Sequence, residues 1–170
     1  MMRWSVGAAG LLLTGAAGAA AQEVAGAAAA LEACVGAGSA PRDEQKRLAD
    51  EAERRYRSLL REQPVSPDVR VGLAQVLIRC QLPLAGVTGI MAVIGEAESE
   101  LRAALAAEAG HWNARFTLAV LLRNMPAMLG RGEDAVREFE RLLAVHGRRA
   151  EGPHHALPYI HLGDAHEAAG

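Results

Sequence analysis

The sequence predicts an all-α protein, and three observations carry that reading. Alanine, the strongest helix former, fills 36 of 170 positions. Two residues each of Phe, Trp and Tyr, seven prolines and few β-branched residues argue against a sandwich or barrel. Apolar residues also recur at i, i+4, i+7 and i+8, one face of a helix, in three separate stretches: Ala52, Tyr56, Leu59 and Leu60; Ala97, Leu101, Ala104 and Leu105; Ala135, Phe139, Leu142 and Leu143. An apolar fraction of 51% is too high for a disordered chain. A net charge of −2 supplies no field to gather nucleic acid. Two cysteines are too few to build a disulfide miniprotein, and the length suits one domain of moderate core.

Residues 1–21 are set apart from the fold. Arg3 is the only charge before Glu23, and it precedes an uncharged run from Val6 to Ala21 that contains Leu11-Leu12-Leu13 and ends in Ala19-Ala20-Ala21. A short positive region, an apolar core and a small-x-small end make a secretory signal, cleaved before Gln22. The run is shorter than the roughly 20 residues of a spanning helix, so no stable membrane insertion is expected after cleavage. The alternative is an uncleaved N-terminal anchor. Heavy Ala, Gly and Arg usage fits a GC-rich bacterial genome and a periplasmic destination.

Residues 22–44 are expected to form an irregular helix, around Ala27–Val35, and a linker. The repeat domain is expected to run from 45 to 170. Its first charged helix carries Ala52 and Tyr56 and ends at Pro64. Val71-Gly72-Leu73-Ala74-Gln75-Val76-Leu77 then aligns with Phe116-Thr117-Leu118-Ala119-Val120-Leu121-Leu122, and both align with Ile160-His161-Leu162-Gly163-Asp164-Ala165-His166. Each places Leu and a small residue on an apolar stripe, where a second helix can approach closely. Ala97 and Ala135 open the stripes of those second helices.

This pattern resembles the tetratricopeptide repeat, a 34-residue helix–turn–helix unit. Ala52, Tyr56 and Pro64 match its landmarks in one unit; Leu73, Ala74, Ala97, Leu101 and Ala104 in the next; Leu118, Ala119, Ala135 and Phe139 in a third; Leu162, Gly163 and Gly170 in a last one. The resemblance implies a short right-handed solenoid of helix pairs. Two departures stand out, both insertions between the first and second helix of a unit. The longer falls in the uncharged stretch 82–95, read as an extra helix from Ala85 to Ile94 packed as core, or as an apolar lip for a partner helix or acyl chain. The shorter lies in 125–132, where Pro126 ends a helix and Met128 and Leu129 are expected to pin the loop to the core. Gly130 and Gly132 there do not make a phosphate cradle, because Glu133 and Asp134 follow in the helix's first turn. The last unit stops at Gly170 without its second helix. That reads as a piece of a longer chain, or as an end covered by another copy through self-association of the last helix.

The resemblance implies a non-enzymatic module that binds a peptide or partner helix on a concave face lined by first helices. The positions that face the ligand in the family fall on Asp68, Val71, Gln75, Ile78 and Arg79, then on Asn113, Phe116, Val120, Arg123 and Asn124, and finally on Leu157, Ile160, Asp164, Glu167 and Ala168. Gln75, Ile78, Arg79, Asn113, Phe116, Val120, Arg123 and Asn124 are the expected binding residues. No nucleophile motif occurs, and no cofactor is expected. The alternative is a metal-binding protein or enzyme using His154, His155, His161 and His166 with Asp164. Their spacing is poor for it, since His166 lies about 140° around a helix from His161. Cys34 and Cys80 either form a disulfide in an oxidising compartment or remain buried thiols.

Overall fold

The computed structural model describes residues 10–146 and 157–169. Seven α-helices account for nearly all of them, and no strand occurs among the described residues. They are α1 (Gly10–Gly36), α2 (Arg42–Glu62), α3 (Pro67–Val76), α4 (Ile90–Ala107), α5 (Trp112–Arg123), α6 (Gly132–His146) and α7 (Leu157–Ala169). Each helix packs on the next in the chain, and α1 touches α3, α3 touches α5 and α5 touches α7.

Local chemistry sets the helix ends. Asp43 and Glu44 occupy the first turn of α2 and Arg61 its last, each complementing the helix dipole. Ser66 caps α3 ahead of Pro67, its hydroxyl accepting from the Val69 amide. His111 does the same for α5: its Nδ1 accepts from the Ala114 amide at 3.2 Å. Gly130, at φ 62°, turns the chain into α6 in the left-handed region that glycine tolerates.

Burial follows the apolar stripes. Ala52, Ala74, Ala97, Ala104, Ala119 and Ala135 are all 0% exposed, as are Leu73, Leu101, Leu118 and Phe139. Small side chains at the crossings let neighbouring helices come together, and the large ones fill the space between crossings. The tightest approach is at Gly72, where a Cβ would lie 2.0 Å from Cε1 of Tyr56. The Tyr56 ring of α2 therefore rests directly on the backbone of α3.

Two part-buried ion pairs clasp helix pairs. Arg70 of α3 donates through Nη1 to Glu100 of α4 at 2.5 Å and through Nη2 to the Pro64 carbonyl. Arg115 of α5 donates through Nη1 to Glu138 of α6 at 2.7 Å and through Nη2 to the Ala109 carbonyl. On the surface formed by the even-numbered helices, Arg57 joins Glu53 to Glu96, and Arg131 bridges Glu98 to Asp134. Burial pushes the Glu98 carboxyl up. The hydrogen bonds from Arg131 and Arg102 outweigh it and hold the group below its usual range.

Several expectations change. The N-terminal helix is regular: α1 runs 27 residues without a break and packs along α2. The 82–95 stretch makes no separate helix. The chain continues from α3 through a π-helical turn at Leu77–Gln81 and a 3-10 turn at Leu82–Leu84, and Ile90–Ile94 simply begins α4. Met128 is 90% exposed and Leu129 39%, so neither pins its loop; Met125 packs on the core instead. In α7 the small residue that is buried is Ala165 rather than Gly163, which has open space around it. Leu157, Tyr159 and Ile160 of α7 are exposed.

Candidate functional site

A cleft of about 300 Å³ opens between α3, the start of α4 and α5. Its floor and walls are Ile78, Leu82, Ile94, Phe116, Val120, Leu121 and Met125, and its polar groups are Gln75, Arg79, Thr117 and Asn124. Among the described residues no acidic side chain lines it. Amphipathic helices explain the site: the buried stripes of α3 and α5 face their partners α4 and α6, and the half-buried residues beside those stripes are left to meet one another. The π-helical turn widens the backbone spiral at 77–81 and carries Ile78 and Arg79 into the cleft. Such turns are frequent at functional sites.

Six of the eight expected binding residues line this cleft: Gln75, Ile78, Arg79, Phe116, Val120 and Asn124. The other two do not. Asn113 is exposed at the start of α5. Arg123 turns to α7 and donates through Nη1 to Asp164 at 2.6 Å. Of the wider set of ligand-facing positions, Val71 is buried in the core at 5% exposure, and Asp68 accepts from the Nε2 of His111 at 3.0 Å. Leu82, Ile94, Thr117, Leu121 and Met125 complete the lining and lie outside the expected set. Leu82 and Ile94 belong to the uncharged stretch 82–95, where Ile94 is buried and Val87 is 90% exposed.

Aromatic rings tie the cleft to α7. Phe116 stacks on Trp112 with centroids 4.9 Å apart and meets Phe139 edge-on. The His161 ring lies 5.8 Å from Phe116 and 5.9 Å from Phe139. Burial between these rings pulls the His161 pKa down, the Arg123 guanidinium pulls it further, and Asp164 opposes both; the net shift is below the ordinary 6.5.

Of the candidate metal residues, His154 and His155 lie outside the described residues. His161 packs among rings as above, and His166 is exposed. Among the described residues no three His, Cys, Asp or Glu side chains are placed to hold a metal ion. Cys34 of α1 and Cys80 of the π-helical turn are at disulfide distance, with Cα atoms 6.2 Å apart. The pair anchors the turn that presents Ile78 and Arg79. No family model matches the chain, and no curated protein matches it.

Proposed function

We propose that the chain is a non-enzymatic protein-interaction module of tetratricopeptide-repeat type, with a partner helix or peptide seated in the cleft between α3 and α5. The observation that carries this is the convergence of six residues, chosen by repeat position, on one apolar cleft. Concave, mostly apolar sites with a few placed polar groups are where ligands dock. An amphipathic helix laid in a groove reads such a surface through anchor side chains.

The repeat reading has support of its own. Arg70 and Arg115 each stand three residues before a buried Leu, and Glu100 and Glu138 each directly precede the large buried residue of the second helix. Ser66 and His111 cap α3 and α5 from equivalent places. The contacts of each odd-numbered helix with the next suit a solenoid of helix pairs, α1 serving as the first helix of the first pair.

Export to the periplasm is the matching location. Residues 18–26 contribute no buried side chain and Ala27 is buried, so cleavage before Gln22 removes no side chain described as core. The Cys34–Cys80 pair suits an oxidising compartment. No helix among the described residues is long and apolar enough to cross a membrane.

Panning a phage library of helix-biased peptides against the folded chain tests the binding reading. Peptides enriched on wild type are expected to be lost on Val120→Glu and on Asn124→Trp, which respectively charges and blocks the cleft. Equal enrichment on both folded variants overturns it. N-terminal sequencing of the chain recovered from a bacterial periplasm, expected to begin at Gln22, tests export.

A further inference from the structure

The cleft's size and charge describe its occupant more closely. About 300 Å³ is the lower end of pockets that enclose small ligands, and it suits one or two large side chains inserted from outside. Partners of helical grooves bind in this way, through a central apolar anchor in a desolvated pocket. Polar groups at the rim then fix which sequences fit.

Arg79 decides the sign of that rim. Among the described residues it is the one charged side chain lining the cleft, and it is exposed. Among the described residues no carboxylate pairs with it. Arg123, the other cation among the expected binding residues, is already held by Asp164, and the clasping arginines are likewise engaged, Arg70 with Glu100 and Arg115 with Glu138. Among the described residues the cleft thus offers an apolar pocket and one uncommitted guanidinium, and the amides of Gln75 and Asn124 belong to the same lining. A guanidinium with five donors pairs best with a carboxylate, often through two parallel hydrogen bonds.

We propose that the cleft takes an acidic amphipathic helix from a partner protein, one that inserts a bulky apolar side chain between Ile78 and Val120 and sets an Asp or Glu, one turn away, against Arg79. This rests on the interaction-module reading and adds the chemistry of the partner. Electrostatic complementarity of this kind governs partner choice more than raw affinity, so the charge pattern of the ligand is the quantity to measure.

The same helix-biased library is panned in parallel on wild type, Arg79→Glu, Val120→Glu and Asn124→Trp, each checked for its helical circular dichroism. Wild-type winners are expected to carry a large apolar residue with Asp or Glu three or four positions away. On Arg79→Glu the acid is replaced by Lys or Arg. Individual wild-type winners are expected to bind Arg79→Glu at least tenfold more weakly, with the loss shrinking at high salt. Winners lost on Val120→Glu and Asn124→Trp but unchanged in charge between wild type and Arg79→Glu overturn this inference and leave the cleft as a docking site. Winners that ignore Val120→Glu and Asn124→Trp overturn the cleft itself. Decanoate, a small amphiphile with the same apolar body and carboxylate, is included as a competitor. If it binds in the cleft and no peptide does, the occupant is a small molecule and the partner-helix assignment falls.

Discussion

Arg115 of α5 and Glu138 of α6 form a buried ion pair at 2.7 Å, their side chains only 12% and 8% exposed. Arg70 and Glu100 repeat the arrangement between α3 and α4 at 21% and 17% exposure. In each case the second guanidinium nitrogen donates to a carbonyl six residues upstream. The partners are 30 residues apart in one pair and 23 in the other. The clasp is kept although the connection between the two helices differs in length, so it marks how the helices of a pair are held rather than how they are joined.

Breaking one half of the deeper clasp leaves the buried Glu138 carboxylate with a single, exposed partner, Arg141, which donates to its other oxygen at 2.7 Å. Arg115→Met is expected to destabilise the fold by about 1–3 kcal/mol. Arg70→Met is expected to cost less, because water reaches that pair more easily. Urea denaturation of both variants checks the order. Equal costs would mean that burial does not set the strength of the clasp.

Gly72→Ala supplies a second check, with an outcome opposite to helix propensity. In an open helix the change would be worth up to about 1 kcal/mol of stability. Here the new methyl would sit 2.0 Å from the Tyr56 ring, and overpacking of this kind costs about 1–3 kcal/mol. The variant is expected to melt below wild type. In a Tyr56→Leu background, where the ring is gone, most of the cost of Gly72→Ala is expected to vanish. A full cost in both backgrounds would show that the ring is not the obstacle.

These two relationships also show where the sequence stops being legible. The alanine landmarks were readable because period and residue size act within one helix, and all six of those named are fully buried. The six residues that line the cleft were reached by another route, the repeat positions that the resemblance supplies. Arg115 and Glu138 were not: each reads as an ordinary charge on a solvated helix face, and their pairing depends on how two helices cross. Gly72 was passed over in favour of Ala74 because the direction taken by the Tyr56 ring is a property of the packed pair. The π-helical turn has no composition signal, yet it places Ile78 and Arg79. Arg123 was expected in the cleft, and its capture by Asp164 depends on α7, 41 residues away.

The Cys34–Cys80 link spans a sequence separation of 46. In the chain-entropy picture a loop of that size is worth roughly 4 kcal/mol, by restricting the unfolded chain. Reduction, or the double change Cys34→Ser with Cys80→Ser, is expected to lower the urea midpoint accordingly. Because Cys80 sits in the turn that carries Ile78 and Arg79, peptide binding is expected to weaken as well. Thiol titration of the unreduced, denatured protein checks the link itself: two reactive thiols would exclude it.

The docking of α7 should depend on pH through His161. The ring packs against Phe116 and Phe139, with Asp164 Oδ2 3.8 Å from its Nδ1 and that same oxygen bonded to Arg123. Burial is the largest cause of its lowered pKa, Arg123 adds to it, and Asp164 only partly offsets the two. The folded chain therefore binds fewer protons on this ring than the unfolded chain does. The stability it contributes is fully present above the ordinary value of 6.5 and is lost as pH falls below that value towards the folded pKa. His161→Phe keeps the ring contacts and removes the titration. Between about pH 7.5 and about pH 5.5, a window bracketing the ordinary His pKa, wild type is expected to lose more stability than His161→Phe. The Trp112 fluorescence of wild type should change over the same range, since Phe116 stacks on Trp112 and lies tilted against the His161 ring at 5.8 Å. Parallel losses in the two proteins would show that another group carries the acid sensitivity of this end of the fold.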